Sequence, residues 1–246
     1  MKADHFDQQK LLALAAEDIA LAQLAHRRRT LPEGAAVTAA EDAERELAGD
    51  VVRAETVVRD LDREQKRLEA DVDVVAQRVA RDRQRLDGGT ASPKEMTGLQ
   101  HELESLARRQ SDLEDQVLEL MERRETADAA LAEAEGGLAT ARAALQRAVE
   151  ARDAALADIT EGTTRHEAAR AEVAATVPAP LLALYDRVRV QTGTSGAARL
   201  HARRCEGCRI ELYGNELSTA RNADPHEVLR CENCNRILVR TADSGL

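Results

Sequence analysis

The four cysteines of the chain form two Cys-x-x-Cys pairs, Cys205 with Cys208 and Cys231 with Cys234, which are separated by 22 residues. Each pair places two thiolates on one tight turn, and two such turns facing each other form the four-sulfur cage of a tetrahedral zinc site. Four sulfur ligands leave no open position for water, so the predicted zinc is structural and not catalytic. Disulfides or a redox pair are the alternatives, and neither explains the second Cys-x-x-Cys turn.

The segment that carries the cysteines is basic, whereas the whole chain has a formal net charge of −10. Residues 187–240 contain ten arginines against six acidic residues. Because arginine pairs with phosphate in a bidentate manner, nucleic acid is a candidate partner. The candidate contacts are Arg203, Arg204, Arg230 and Arg236. The alternative is a solvated face, or ion pairs with acidic side chains nearby.

Two other side chains bear on these interpretations. His201 lies close to Cys205 in sequence, but with four cysteines available a surface or strand histidine is the preferred interpretation. Tyr213 is the only aromatic residue after position 196, so the stacking platform that binds single-stranded nucleic acid is thin.

The last 50 or so residues are too poor in apolar side chains to fold without a staple. Zinc supplies one, because its binding free energy becomes folding free energy. Alternating patterns predict short strands at residues 199–204, 210–213, 227–230 and 236–240. The sequence therefore predicts a small β domain, a C4 zinc ribbon, over residues 197–246.

The rest of the chain has the composition of long helices. One Phe, two Tyr and no Trp cannot fill a thick core, and 33% of the residues are charged. No apolar run approaches the ~20 residues of a membrane span, and Met1–His5 does not begin a secretory signal. We therefore expect no membrane association and a cytoplasmic location, where reducing conditions favour zinc thiolates.

Apolar residues in a 3-4 alternation predict long helices that pack along one seam. A first helix over about residues 4–30 ends at Leu31–Gly34, where proline and glycine disfavour helix. The seam of the second helix is Val37, Ala40, Glu44, Leu47, Val51, Ala54, Val58, Leu61, Gln65, Leu68, Val72, Val75, Val79, Asp82 and Leu86.

A third helix follows a turn at residues 87–91. Ser92 and Glu95 can form a capping box, with Pro93 at the first helical position. The seam of this helix begins at Met96, Leu99, Leu103, Leu106, Gln110, Leu113, Val117, Leu120 and Arg124 and keeps its phase to Val173.

A turn this short makes the two long helices antiparallel, so we predict a coiled-coil hairpin with its tip at about residues 87–92. If Val79 faces Met96, Gln65 faces Gln110, and two amides buried against each other would fix the register. The resulting fold class is mainly α, a long antiparallel helical hairpin with a small C-terminal zinc ribbon.

In that register, both sides of the helical hairpin contain weak helix-forming residues at the same level along its length. The break at about residues 31–36 lies close to Gly136-Gly137, and glycine costs roughly 1 kcal/mol per residue in a helix. We expect a bend there, with a slightly frayed straight helix as the alternative. The predicted domains are the hairpin over residues 1–177, a short helix and linker over 178–196, and the ribbon over 197–246.

The chain offers no catalytic constellation. It has no Ser-His-Asp grouping, no glycine-rich phosphate loop and no isolated carboxylate pair in a pocket, and His166 is a polar residue tolerated in the seam. A two-stranded coiled coil also lacks a cavity of the size that small-molecule sites use. We therefore expect no enzymatic activity and no small-molecule substrate.

Three stretches resemble a bacterial family of C4-type zinc-ribbon coiled-coil proteins, and the resemblance covers nearly the whole chain. Ser92–Leu103 resembles the family's hairpin tip, Leu184–Arg189 its short helix, and Cys231–Leu238 its closing knuckle. The break at Leu31–Glu33 is similar to that of the actinobacterial branch. Asn235, where the family usually has Gly, is a departure that leaves the metal site intact.

The resemblance implies a structural zinc and an adaptor role. Some relatives are associated with an alternative sigma factor of RNA polymerase and with messenger RNA, but nothing in this sequence encodes that partner. We expect a non-enzymatic adaptor that binds other macromolecules, with transcription-related proteins as the expected class. The alternative is a DNA- or RNA-binding protein that acts through the basic ribbon.

Overall fold

A computed structural model describes residues 1–89 and 92–246 of the chain. Its helices are α1 (His5–Arg29), α2 (Pro32–Asp87), α3 (Pro93–Ala175), α4 (Ala179–Thr192) and α5 (Gly214–Asn222). Its strands are β1 (Ala197–His201), β2 (Arg204–Cys205), β3 (Leu229–Arg230) and β4 (Ile237–Val239), and a short 3-10 helix spans Ala242–Ser244. The fold is mainly α with a long helical hairpin and a small C-terminal sheet, which confirms the predicted class.

The chain divides into two compact units. The base unit consists of Met1–Gly34 and Glu150–Leu246, and the arm unit consists of Ala35–Val149. The domain limits derived from the sequence, at residues 177 and 196, stay a prediction.

Side-chain burial confirms the 3-4 seam. Every predicted seam residue of α2 is buried or half-buried, and so is every one of α3 except the exposed Met96. Within the arm unit, Arg142 Nε lies 3.0 Å from Glu44 Oε1, and Arg124 pairs with Asp62, so ion pairs also join the two helices.

The predicted pairing of Gln65 with Gln110 is wrong. The Gln65 side-chain amide donates to Glu69 at 2.8 Å, and the Gln110 amide donates to Glu114 at 2.8 Å, so each amide is satisfied on its own helix. Ion pairs of Arg123 with Glu64 and of Arg124 with Asp62 place Gln65 about three helical turns further along α3 than predicted.

The helix ends follow the predicted signals with one difference. Helix α2 begins at Pro32, so the first break is shorter than residues 31–36, because proline is well suited to the first helical position. Helix α3 continues through Gly136-Gly137, so the glycine pair does not interrupt it, and a bend there stays a prediction.

The hairpin tip is described on both sides of the turn. The Ser92 N–H donates to Glu95 Oε2 at 2.8 Å and the Glu95 N–H donates to Ser92 Oγ at 3.4 Å, which confirms the capping box. The hydrogen bonds with Ser92 lower the pKa of the Glu95 carboxyl. Residues 90 and 91 of the predicted turn lie outside the described residues.

The sheet of the base unit has the strand order β2-β1-β4-β3, with β1 and β4 parallel and the two outer pairs antiparallel. Successive residues of a strand face opposite sides. On one side, the helix face, the strands pack against α1 and α4 through Leu11, Leu14, Ala15, Leu181, Tyr185, Ala197, Ile237 and Val239. On the other, the metal face, the cluster contains Ala198, Leu200, Cys205, Leu212, Ala220, Cys231 and Leu238.

Gly196 allows the sheet to lie directly on α4. A Cβ atom at this position would stand 2.3 Å from the carbonyl oxygen of Tyr185, which is closer than any real contact. Only glycine therefore permits this approach of strand to helix.

The start of the chain is part of the base unit. The Ala3 N–H donates to the His226 carbonyl at 2.8 Å, and the Val228 N–H donates to the Met1 carbonyl at 3.1 Å. The ribbon is thus held by α1 and the residues before it, a long-range pairing that the sequence did not predict.

The ribbon differs from the prediction in three elements. The strand predicted at residues 199–204 is divided by a turn at Ala202 and Arg203 into β1 and β2, which pair antiparallel. The predicted strand at residues 210–213 is reduced to a single bridge between Glu211 and Arg204. Helix α5 was not predicted, since its nine residues include Gly214, Asn215 and Asn222, which are weak helix formers.

Candidate metal centre and ribbon surface

The four cysteines come together between two turns of the ribbon. Their Sγ atoms all lie within 4.8 Å of one another. Cys205 and Cys231 are buried, and Cys208 and Cys234 are partly buried. The two Cys-x-x-Cys turns that the sequence singled out therefore form one cluster, which is positioned to hold a metal ion.

The spacing of the sulfurs fits a zinc tetrahedron. The Sγ atoms of Cys205 and Cys234 are 3.8 Å apart, and so are those of Cys208 and Cys231. With zinc–sulfur bonds of about 2.3 Å, the edge of a tetrahedron is about 3.8 Å. The donor set and its geometry thus match a structural zinc.

The two turns repeat one backbone pattern. The N–H of the residue after each second cysteine donates to the carbonyl of the first, from Arg209 to Cys205 at 2.7 Å and from Asn235 to Cys231 at 2.9 Å. Both donor residues are left-handed, with φ of 60° at Arg209 and 64° at Asn235. Asparagine tolerates this region well, which explains why Asn235 can replace the usual glycine.

The thiols differ in their protonation equilibria. Burial raises the pKa of the Cys205 thiol, and it raises that of Cys231 to about 11. Burial also disfavours the Cys234 thiolate, but hydrogen bonds from Arg236 and the neighbouring thiols hold the pKa of Cys234 below its usual value. Since zinc binds thiolates, loading the site must displace protons from the buried thiols.

Arg236 joins the second turn to the first. Its Nε donates to the Ser195 carbonyl at 3.2 Å and a terminal nitrogen donates to Thr194 Oγ1 at 2.7 Å. Its side chain crosses Gly207, where an added Cβ would stand 2.7 Å from Arg236 Cδ. Arg236, a predicted nucleic-acid contact, is thus engaged within the protein.

The other three predicted arginines are exposed. Arg230 Nε donates to the Asn235 carbonyl at 3.2 Å beside the second turn. Arg203 and Arg204 lie beside the first turn, and Arg203 stands 3.8 Å from Glu211. The structure therefore groups Arg203 with Arg204 and separates them in role from Arg236.

Tyr213 shares an acidic neighbour with Arg203. Its hydroxyl donates to Glu211 at 2.9 Å, a bond that raises the pKa of Tyr213, and the residue is 68% exposed. An exposed aromatic ring beside two arginines is a feature that sequence spacing alone had discounted.

Neither histidine considered from the sequence joins the cysteines. His201 is exposed on β1. His166 Nδ1 lies 2.6 Å from Glu17 Oε2, so this seam histidine is partnered by α1.

A buried acidic residue, Asp18 of α1, lies among α1, α3 and α4. The Tyr185 hydroxyl donates to Asp18 at 2.6 Å, and Arg170 Nε donates to the other oxygen at 2.7 Å. Burial and the bond to Asp18 raise the pKa of Tyr185. Asp18 ties α1, α3 and α4 together, and sequence analysis missed it because a lone aspartate in a helix is usually solvated.

The fold and the cluster together define a coiled-coil hairpin protein with a C4-type zinc ribbon. Residues 14–193 match the family model of the CT398-like coiled coil hairpin domain, and residues 204–238 match that of the C4-type zinc ribbon domain. The chain belongs to the CT398-like coiled coil hairpin family. Both are coiled-coil and zinc-ribbon families, and neither is an enzyme family.

Mycobacterial proteins are similar over most of the chain. An uncharacterized protein of Mycobacterium tuberculosis is 41% identical over 241 residues, which cover 98% of each chain. An uncharacterized protein of Mycobacterium leprae is 31% identical over 202 residues, covering 82% of this chain and 86% of that protein. These similarities confirm the actinobacterial branch.

Two solved structures share the fold. One from Mycobacterium smegmatis is 34% identical, with a TM-score of 0.83, and covers 98% of this chain and 100% of that chain. CT398 from Chlamydia trachomatis is 18% identical, with a TM-score of 0.63, and covers 96% of this chain and 98% of that chain. In the part of the chain that the structure describes, no helix is long and apolar enough to cross a membrane.

Proposed function

We propose that this chain is a non-enzymatic, cytoplasmic adaptor that binds other macromolecules, with proteins of the transcription machinery as the expected class. In this proposal Cys205, Cys208, Cys231 and Cys234 ligate a structural zinc. The observation that carries it is the closed four-sulfur cluster, which leaves no ligand position for a substrate. A metal held by four protein ligands fixes the shape of the ribbon surface, and in this proposal that surface binds other macromolecules.

The test is affinity purification of the tagged full chain from the organism in which it occurs, with and without nuclease, followed by mass spectrometry. We expect specific proteins that remain bound after nuclease treatment. If every captured protein disappears with the nucleic acid, or none exceeds the untagged control, the adaptor proposal is wrong.

A second candidate is binding of single-stranded nucleic acid through the ribbon. It is favoured by the exposed ring of Tyr213 beside Arg203 and Arg204, because an aromatic platform with flanking cations is the usual means of binding single strands. Arg230 belongs to this proposal as a peripheral contact, and Arg236 does so least because of its bonds to Thr194 and Ser195.

This candidate is tested with a labelled oligonucleotide at several salt concentrations. Changing Arg203 and Arg204 to Glu should abolish binding, and neutralising them should reduce the salt slope by about 2, one for each phosphate contact. The matched control changes the exposed Arg187 and Arg221 to Glu, which alters the net charge equally. Equal losses of oligonucleotide binding in both variants would show that only net charge matters, and this would reject the proposed site.

A further inference from the structure

A groove between α2 and α3 runs along one side of the arm unit. Its first part is an open depression of about 360 Å³, lined by Glu69, Val72, Asp73, Glu114, Val117 and Leu118. From Leu118 the same surface continues past Gln65, Met121, Glu122, Arg124, Glu125 and Asp128. We refer to these residues together as the arm groove.

Two large apolar side chains stand exposed in the arm groove. Leu118 is 60% exposed and Met121 is 52% exposed, whereas the seam residues Leu113 and Leu120 are almost fully buried. Residues three apart on a helix lie on one face, so Leu118 and Met121 form a continuous apolar strip outside the seam. The packing of the hairpin itself does not require this strip, since the seam already closes it.

The rim of the arm groove is acidic. Its carboxylates are Glu69, Asp73, Glu114, Glu122, Glu125 and Asp128, against one cation. That cation, Arg124, pairs with Asp62 and with Asp128. Among the described residues, no ion pair joins Asp73, Glu122 or Glu125 to a cation, so the rim retains negative charge for a partner.

The opposite side of the same two helices has a different character. It is lined by Glu64, Arg67, Leu68, Gln116, Glu119, Leu120 and Arg123. Its charges are mixed, and Arg123 lies 3.5 Å from Glu64 across the helices. Compared with this opposite side, the arm groove combines exposed apolar side chains with a predominantly acidic rim.

We propose that the arm groove binds a basic amphipathic helix of a partner protein. The apolar face of that helix covers Leu118 and Met121, and its lysines and arginines pair with the acidic rim. From Glu114 to Asp128 the groove follows α3 for about 21 Å, the length of a helix of about 14 residues. The proposal rests on the adaptor function and adds the chemistry of one partner.

Charge argues against other occupants. A second copy placed symmetrically on the arm groove would bring two acidic rims together, which is unfavourable. Phosphates of nucleic acid and anionic lipid headgroups would meet the same repulsion. A cationic helix is the partner that satisfies both the apolar strip and the rim.

The probe is a labelled peptide of about 14 residues built from leucine at 3-4 spacing and lysine elsewhere, titrated with the full chain. Its binding should weaken with salt, since exposed charges are screened beyond about 8 Å at physiological ionic strength. An otherwise identical peptide with glutamate in place of lysine should not bind. Equal binding of both peptides would overturn the proposal.

Two variants test the surface. Changing Leu118 and Met121 to Ala should weaken binding of the lysine peptide by about tenfold or more, because apolar anchors dominate such contacts. Changing Glu122 and Glu125 to Lys should weaken it similarly. The control changes Gln116 and Glu119 to Lys on the opposite side and should leave affinity within about twofold. Unchanged melting temperatures show that all variants remain folded, as exposed positions predict.

Two further outcomes separate the possibilities. If a self-associated form in sedimentation velocity dissociates in the Leu118→Ala, Met121→Ala variant, the groove is an interface between copies and the proposal is overturned. If this variant captures the same nuclease-resistant proteins as the unaltered chain, the groove proposal fails while the adaptor function stands. If the peptide binds as expected but no protein is captured, the adaptor function fails and the groove stands.

Discussion

The two faces of the base-unit sheet are closed by different means. On the helix face, Leu11, Leu14 and Leu181 are at most 1% exposed, and the first two belong to α1, which is far from the strands in sequence. On the metal face, the four cysteines take part in a smaller apolar cluster. One face is thus stabilised by apolar burial and the other by a metal staple, and the two contributions can be removed separately.

The largest expected effect is on the metal face. Changing Cys231 to Ser should eliminate stoichiometric zinc, because structural sites bind zinc with apparent free energies of about 10–16 kcal/mol that small units need in order to fold. Amide protection should be lost in residues 204–235 while β4, which packs on the helix face, and the helical circular dichroism of the hairpin remain. Metal analysis and hydrogen exchange measure this.

The control for the metal face is His201→Ala, which should retain one zinc per chain. If Cys231→Ser kept both its zinc and its protected amides, the metal face would not depend on the four-sulfur cage. A parallel loss of helical signal would show instead that the faces fold as one unit.

The next effect is on the helix face. Changing Leu14 to Ala should lower the free energy of unfolding by about 4 kcal/mol, because a fully buried leucine leaves a cavity. Zinc content should stay at one per chain. Denaturant unfolding and metal analysis on the same sample test both halves, and loss of zinc would mean that the metal face depends on the helix face.

A somewhat smaller effect is expected at the buried acid. Changing Asp18 to Ala should cost about 3 kcal/mol, since removing one partner of a buried ion pair leaves the others unsatisfied. Arg170 retains its bond to Asp186 at 2.7 Å, which limits the loss. Tyr185→Phe removes a single hydrogen bond and should cost about 1–2 kcal/mol. A Tyr185→Phe loss as large as that of Asp18→Ala would contradict this ranking.

The smallest effect concerns the pairing before α1. The side-chain hydrogen bond and charge of Lys2 lower the pKa of the Asp224 carboxyl. Because the pKa of Asp224 is lower in the folded than in the unfolded protein, its carboxylate stabilises the fold at pH values above the unfolded-state pKa. This contribution to stability is lost as the pH falls through the folded-state pKa. Lys2→Ala should raise the pKa of Asp224 toward its usual value in an NMR titration. The bond from the His226 N–H keeps part of the shift, and an unchanged pKa would show that Lys2 does not contribute.

Features that depend on local spacing could be predicted from the sequence. The seam followed from a 3-4 alternation, the capping box from Ser92 and Glu95, and the metal cluster from two Cys-x-x-Cys turns. The apolar seam, the capping pair and the two Cys-x-x-Cys turns each consist of residues a few positions apart, so each leaves a short pattern in the sequence.

Features that depend on competing local hydrogen bonds, or on contacts between residues far apart in sequence, could not be predicted. The Gln65–Gln110 pairing failed because the helices pack in a different register, in which Glu69 and Glu114, one turn away, satisfy each amide locally. The pairing of Met1 with Val228 and the burial of Asp18 join residues more than 150 positions apart, and strands of two or three residues carry too few side chains to indicate their partners.

The packing of β4 against α1 has a consequence for synthesis of the chain on the ribosome. Ile237 and Val239, which complete the core around Leu11 and Leu14, are added more than 220 residues after them. Until then the apolar stripe of α1 lacks its final neighbours, which is the situation in which nascent chains need chaperones. The order of synthesis thus leaves closure of the base to the last strand.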